Sequence, residues 1–370
     1  MFSCEDLETK IIGTGICTAC GACILACPNS HIKYIEGKPM RTVRTLDCVR
    51  CSTCSDACYM LRRGLMRDIE GSILGWRVRE SIGIYERILA ARTRDQNIEK
   101  MCQDGGIVTS LLIYALSKDL IDGALVVGRD GWVPIACIAK TKEEVISVAG
   151  TKYGIIPVLK DLRSAVVDHG LDRICIVGLP CHVQSIRYLR HRNLPLASKI
   201  KLTIGLFCRE NYEYPCIEAK VMERGLNIRE INKFSVHEEF EIHANGQKLS
   251  FPISEVKNFV PKHCLVCDDF ASELADISIG SDGSPEGWST VIVRTQEGAK
   301  LFSHLEADKV IETKPLEDLD YIKEIAERKR EKGKQTKEIF RLREEGKEKK
   351  EIAAKLGLTE ERVSHRLERF

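Results

Sequence analysis

The sequence is short of the features that would send it to a membrane or to secretion, or dedicate it as a whole to nucleic acid. No apolar stretch approaches the roughly 18–20 uncharged residues that a helical membrane span needs, so no span of its own is expected. The opening MFSCEDLETK shows no basic start followed by an apolar stretch. No secretory signal is expected, and the setting is read as cytoplasmic, peripheral to a membrane complex only through partners. The formal net charge is +2 over 370 residues, far from the excess that marks a chain built throughout for nucleic acid. No G-x-G-x-x-G or Walker A run occurs; Gly13-Thr14-Gly15 is a weak echo that leads into cysteines instead of a helix. A standard nicotinamide-binding unit is therefore not expected.

Cysteine is in excess, at 17. In a small secreted chain that would suggest disulfides. Here the chain is long enough for more than one core, and its cysteines cluster at short spacings, which fits metal ligation in a reducing compartment. Cys17, Cys20, Cys23 and Cys27 form C-x2-C-x2-C-x3-C before Pro28, and Cys48, Cys51, Cys54 and Cys58 repeat the spacing, with Tyr59 in place of proline. Each run has the bacterial ferredoxin spacing. Three thiolates on a tight loop can cap three corners of a cubane, while the fourth points away to the other cluster. One 4Fe–4S cluster is thus assigned to Cys17, Cys20, Cys23 and Cys58, and a second to Cys48, Cys51, Cys54 and Cys27. Zinc, the alternative for CxxC pairs, wants four thiolates per site and not a doubled pattern of eight. Gly21 offers unhindered backbone close to a cluster, and Ser52 takes the matching place in the second run. Between the runs, HIKYIEGKPMRT alternates like a hairpin with its turn near Gly37.

From about residue 77 the character changes. GALVVG (123–128), RICIVG (173–178) and KLTIGLFC (201–208) read as buried strands, with helical stretches at 107–120 and 182–191 between them. This alternation predicts an α/β domain with a largely parallel sheet. Cys181 follows one strand and Cys208 ends another, and ligands of open parallel sheets gather beyond the carboxyl ends of strands. Cys264 and Cys267 add a CxxC. The four make up the complement of a third 4Fe–4S cluster. Spacing alone leaves that reading level with two buried small hydrophobes and a zinc or redox CxxC. Cys4, Cys102, Cys137, Cys175 and Cys216 show no such pattern; Cys137 and Cys175 read as core.

Three stretches could hold a cofactor. Gly105 and Gly106 precede a helix carrying Thr109 and Ser110, where free amides suit a phosphate or a flavin carbonyl; a plain turn capped by Asp104 is the alternative. Lys152 and Tyr153, in TKYG, put a cation, a hydroxyl and a ring beside a turn, or simply form a surface loop. Residues 275–295 read strand, Gly-rich loop, strand, and the loop's Ser281 and Asp282 either cover a ligand or close a hairpin.

Taken together, QDGGIVTSLLIYAL (103–116), TKYG (151–154), VGLPCHVQSIR (177–187), IGLFCREN (204–211) and CLVCDDFASELADISIGSDG (264–283) resemble the coenzyme F420 hydrogenase/dehydrogenase beta subunit family, over roughly residues 77–296. The resemblance implies bound FAD, a further 4Fe–4S cluster in the same domain, and F420 as substrate. Cys181, Cys208, Cys264 and Cys267 match the family's cysteine motifs, and their joint ligation is inferred from that. The fused two-cluster piece makes the chain similar to the input subunit of F420H2 dehydrogenase, to formate dehydrogenase beta subunits and to the N-terminal half of F420-dependent sulfite reductase. The implied fold class is an α+β ferredoxin-like two-cluster domain (1–75), an α/β flavin-binding domain (76–326) and a small helical C-terminal extension (327–370). The implied activity is F420-dependent oxidoreduction. F420 gives or takes hydride at FAD, single electrons travel through the clusters, and a partner redox subunit of a dehydrogenase, hydrogenase or reductase complex exchanges them. Lys152 would face the reduced flavin's charge or a phosphate. No acid–base pair is assigned, because hydride transfer needs none that the sequence reveals.

The extension 327–370 carries a net charge of +5, and KEIAAKLGLTEERVSHRLERF (350–370) reads as a helix-turn-helix. Gly357 makes the turn, and Thr359 caps the second helix with Arg362 where a full capping box wants an acid or amide. Groove contacts, were it to bind DNA, would be Glu361, Arg362, Ser364, His365 and Arg366; a partner-docking or solvated helical pair is the plainer reading. Two other functions compete: a redox-sensing DNA-binding regulator, and an electron-transfer adaptor lacking flavin.

Overall fold

The two cysteine runs fold around a small hairpin. The computed structural model describes residues 2–236, 239–244 and 246–369. In it β1 (Ile32–Ile35) and β2 (Lys38–Arg41) pair antiparallel. Glu36 and Gly37 both take positive φ, 49° and 79°, the backbone that matches the twist of a two-residue hairpin. The alternation of HIKYIEGKPMRT predicts this turn. Cys23 and Cys54 sit in the short helices Ala22–Ala26 and Thr53–Asp56, and with Leu7, Ile11 and Ile32 they form the apolar centre of this piece.

The main body is an eight-stranded sheet. Its strands are β3 (Arg87–Thr93), β4 (Gly123–Asp130), β5 (Val133–Ala139), β6 (Ile174–Gly178), β7 (Ile200–Leu206), β11 (Ile277–Gly280), β12 (Ser289–Val293) and β13 (Ile311–Lys314), in the order β13-β3-β12-β11-β7-β6-β4-β5. Helices cover both faces, as a sheet buried on two sides requires. Helix α1 (Ile107–Ser117) places Ile107, Leu111 and Leu112 on one face, and α2 (Pro180–His191) places Ile186 and Leu189 on the other. The expected parallelism holds only in the middle. β4, β6, β7 and β11 run parallel, whereas β5 on one flank and β12, β3 and β13 on the other pair antiparallel. The reason is local: β4 turns directly into β5 through Gly131, at φ 60°, and β11 returns as β12 through the loop 281–288, so both flanks begin as hairpins.

A three-stranded meander, β8 (Ile231–Val236), β9 (Glu239–Ala244) and β10 (Gln247–Pro252), forms a second sheet that no sequence motif announces. It is held by aromatics. Phe240 stacks on Phe251 at 5.1 Å, and Phe234 meets Trp132 edge-on at 5.2 Å.

At the C-terminus, α3 (Leu319–Glu344) runs without a break across residues 326 and 327, where the extension is expected to begin. Its first half packs Ile322, Ile325 and Ala326 against Phe270, Ala271 and Ile292. Its second half packs Ile339 and Leu342 against α4 (Lys349–Leu356) and α5 (Glu360–Glu368) through Ile352, Ala353 and Val363. Gly357, at φ 63°, ends α4, and Thr359 Oγ1 accepts from the Arg362 amide at 3.2 Å, as the turn and cap reading expects. One expectation fails. Arg366, placed among the groove contacts, is turned inward at 9% exposure; it donates to the Thr336 hydroxyl at 2.9 Å and the Lys332 carbonyl at 3.2 Å. The apolar side of α5 lies on α3, and Arg366, three residues after Val363, falls on that side. Phe370, the last residue of the run, lies outside the described residues.

Candidate metal centres and cofactor edge

The fold gathers the twelve expected cysteine ligands into three groups. Cys17, Cys20 and Cys23 of the first run meet Cys58 of the second around a small cavity, together with Leu7, Ile11 and Tyr59. Burial pushes the Cys17 thiol up to about 12, helped by the fields of Cys20 and Cys58; burial, then Cys20, does the same for Cys58, also to about 12. Thiols crowded this way shed their protons only to a compensating cation, so the donor set fits an iron–sulfur cluster. In the second group, burial raises Cys54, with Cys4 and Cys51 adding to it. Cys27 and Cys48 are joined through His31, whose amide donates to Cys27 Sγ at 3.3 Å and whose Nδ1 lies 3.3 Å from Cys48 Sγ. The His31 hydrogen bond draws the Cys48 thiol down to about 7. Cys4 is an addition here, a buried fifth thiol hydrogen-bonded to Cys54. It stands alone in the sequence, 13 residues before the first run, so no spacing signal could mark it.

The third group is assembled by the sheet. β6 and β7 are parallel neighbours with Gly178 opposite Gly205, so their carboxyl ends deliver Cys181, in the first turn of α2, and Cys208 to one edge. The Cys208 amide donates to the Phe270 carbonyl at 2.9 Å, tying it to the segment just after Cys264 and Cys267. Burial raises the Cys181 thiol, followed by the fields of Cys208, Cys267 and Cys264; burial takes Cys208 to about 12. Among the described residues no three His, Cys, Asp or Glu side chains close around a single ion's position; the thiols are grouped without converging on one point.

The first and third groups adjoin. Ser185, one helical turn after Cys181 in α2, donates to Cys20 Sγ at 3.3 Å. Tyr59, 3% exposed, is raised by burial and feels both Cys181 and Cys20. The Leu159 amide donates to the Cys20 carbonyl at 3.0 Å. Gly21 needs its missing side chain for this contact: a Cβ there would stand 2.6 Å from Lys160 N and 2.9 Å from the Pro157 carbonyl, and its φ is 91°. What crowds Gly21 is thus the neighbouring domain's backbone, where the sequence reading places a cluster.

The cofactor candidates lie at the same edge. Gly105 gives its amide to Ser289 Oγ at 3.1 Å, and its carbonyl accepts from the Thr93 amide at 2.7 Å. Gly106, at φ 70°, caps α1, and Thr109 is buried in its first turn. Burial pushes the Tyr153 hydroxyl up, and the charges of Asp104, Cys208 and Asp282 add to it; its ring packs against Tyr212 and Phe240 at 6.1 and 5.8 Å. The Asp282 carboxylate is held by Arg209, and the Ser281 carbonyl accepts from the Ser284 amide at 3.2 Å. Lys152 is placed differently from its expected role. Its ammonium donates to the carbonyls of Val148, Ala149 and Gly150, capping the end of a short helix; it offers charge but has no free donor. Burial lowers it to about 8. Asn211, not singled out from sequence, clamps TKYG by accepting from the Gly154 amide at 3.0 Å and donating to the Gly154 carbonyl at 2.6 Å. Its signal in the sequence is its place at the end of the IGLFCREN stretch, three residues after Cys208.

Comparison with known proteins bears on these groups. Residues 88–163 match the family model described as coenzyme F420 hydrogenase/dehydrogenase, beta subunit N-term, residues 171–319 match its C terminus, and residues 16–62 match a 4Fe-4S dicluster domain. Coenzyme F420 hydrogenase subunit beta of Methanothermobacter thermautotrophicus is 36% identical over 267 residues, covering 69% of this chain and 94% of its own. An F(420)H(2) dehydrogenase subunit of Methanosarcina mazei is 30% identical over 336 residues, covering 87% of this chain and 91% of its own. Coenzyme F420-dependent sulfite reductase of Methanocaldococcus jannaschii is 31% identical over 338 residues, 85% of this chain and 50% of that one. A chain in the solved F420-reducing [NiFe] hydrogenase complex from Methanosarcina barkeri superposes with a TM-score of 0.68 at 34% identity, covering 70% of this chain and 94% of that one.

Proposed function

The chain belongs to the coenzyme F420 hydrogenase/dehydrogenase beta subunit family, and from that premise we propose that it passes electrons between F420 and a partner redox subunit through FAD and three 4Fe–4S clusters. The observation that carries this reading is the convergence, at one sheet edge, of Cys181, Cys208, Cys264 and Cys267 with the turn at Gly105 and Gly106, Tyr153 and Asp282. When bound, FAD supplies the exchange between a hydride and single electrons, and the clusters supply one-electron steps. The chain's own residues do the rest. The cap at Gly106 and the buried Thr109 present the start of α1 to a cofactor, Asn211 fixes TKYG beside Cys208, and the aromatic meander behind Tyr153 keeps water from the edge. Ser185 and Tyr59 lie between the third thiol group and the first, which makes α2 and the 58–59 segment the route between core and ferredoxin-type domain. The surface beyond the Cys48 group is the side offered to a partner. No helix is long and apolar enough to cross a membrane among the described residues, so any membrane attachment through a spanning helix would be the partner's.

The test is spectroscopic. Purified protein supplied with flavin and a reductant should bleach the absorbance band of F420 as it is reduced, and in the reverse direction NADH should not replace F420H2 as donor. Reduction by NADH with no response to F420 would overturn the assignment, and protein active without bound flavin would favour the adaptor reading.

A further inference from the structure

Lys329 is a buried cation with no carboxylate of its own. It lies in α3, beyond residue 319 where the family match ends, and is 8% exposed. Its Nζ donates to the Cys208 carbonyl. Among the described residues no Asp or Glu stands within ion-pair distance of it, although α3 is otherwise rich in such pairs: Arg330 with Glu273, Lys332 with Glu210, Lys337 with Asp268. Asp269 is near enough for its field to be felt, but its carboxylate accepts from Gln184 and the Glu273 amide instead. An ammonium taken out of water without a counterion costs several kcal/mol. What its ammonium reaches instead is the backbone of an expected cluster ligand, the Cys208 carbonyl. A second feature of α3 points the same way. Gly333, one turn on and on the same face, lies against the Cys267 carbonyl so closely that no Cβ fits. Lysine and glycine at this spacing bring the helix onto the CxxC backbone and set a positive charge against the site.

We propose that Lys329 is a positioning residue for electron flow, a built-in charge partner that raises the reduction potential of the cluster held by Cys181, Cys208, Cys264 and Cys267. This rests on the reading of that group as a cluster. A cubane with four thiolates is anionic in both states and one unit more negative when reduced, so a fixed neighbouring cation stabilises the reduced state more. In the low-dielectric core the difference is large. The C-terminal helix, which by composition looks like a solvated tail, thereby belongs to the electron path.

The test uses the full chain, prepared anaerobically, with iron analysis and a redox titration followed by electron paramagnetic resonance. The core signal is identified as the component absent from Cys181→Ala. In Lys329→Gln, iron should stay at the wild-type value while the reduced-to-oxidised ratio of that component at a fixed potential falls about tenfold, 59 mV for one electron. The other signals should not move, and Lys329→Arg should restore most of the ratio. If Lys329→Gln loses the core component and Lys329→Arg keeps it, the charge holds the site together instead of setting its potential, which overturns the proposal. A Lys329→Gln titration that overlies the wild type at full iron overturns it, as does equal loss of the component in both variants, which would mean packing. Wild-type protein with iron for two clusters only, or with zinc at the core, would instead overturn the three-cluster reading and take this proposal with it.

Discussion

Single side chains set the stability of the sheet edge on which the thiols stand. Asp276, buried just before β11, accepts from Arg187 of α2 at 2.8 Å, from the Thr203 amide of β7 at 2.7 Å, and from Thr295 at 2.7 Å. Burial pushes its carboxyl up, but Arg187 and the hydroxyl donors hold it below its usual value. Replacing it by Asn leaves Arg187 buried and unpaired and should cost about 3–5 kcal/mol, read by anaerobic chemical denaturation followed by circular dichroism. The sign of the pH dependence follows. A depressed folded pKa contributes stability that is present above the unfolded value near 4 and lost as pH falls through the folded one. The gap between wild type and Asp276→Asn should therefore be full at pH 7 and narrow as the medium is acidified below about 4. Residues of this kind are hard to read from sequence. Asp276 lies inside the 264–283 stretch that carries the resemblance, but nothing local marks its role, and its partners Thr203 and Arg187 are 73 and 89 residues away.

Among the elements, the helical pair α4–α5 is legible as a pair but not as to its face. Gly357 and Thr359 announce the turn and cap in sequence, since one supplies a left-handed conformation and the other a side-chain acceptor. Which side of α5 is covered depends on α3, and that places Arg366 inside. Truncation after Gly346 should expose Ile339 and Leu342 and lower the thermal midpoint by several degrees, about 2–3 kcal/mol for two large apolar side chains uncovered, while DNA mobility shifts should be absent with or without the segment. A salt-sensitive shift abolished by the truncation would restore the regulator reading. The meander β8–β10 is not legible in the sequence at all. Its aromatics Phe234, Phe240 and Phe251 stand one on each strand, and the strands are short and match no motif. Their worth lies in closing over Tyr153, which no local pattern displays.

For the molecule as a whole, the ferredoxin-type piece and the sheet edge are fastened by hydrogen bonds that span them: Tyr34 to the Ile155 carbonyl at 3.1 Å, Arg163 to the Leu25 carbonyl at 2.8 Å, and Tyr188 to the Asp56 carbonyl at 3.0 Å. This fastening keeps the first and third thiol groups adjacent, as electron transfer by short steps requires. Loading should give about twelve iron atoms per chain for three four-iron clusters, and Cys181→Ala should bring this to about eight without disturbing the ferredoxin-type signals; a variant that loses all iron would show the groups to be one cooperative unit.

The sequence by itself determined the chemistry. Thiolate spacing over four to eleven residues is a local property, and the doubled run and the CxxC follow from it without reference to the rest of the chain, as the hairpin at Gly37 follows from the alternation of residues 31–42. Only the tertiary structure brings Cys181 and Cys208 to one sheet edge, through the parallel register of β6 and β7, and ties Cys208 to the segment after Cys264 and Cys267 through the Phe270 carbonyl. It also decided that Lys152 caps a helix, that Arg366 faces inward and that Lys329 is buried against the Cys208 carbonyl. Those are matters of what a charge finds at the end of its side chain, and burial is a property of the packed whole.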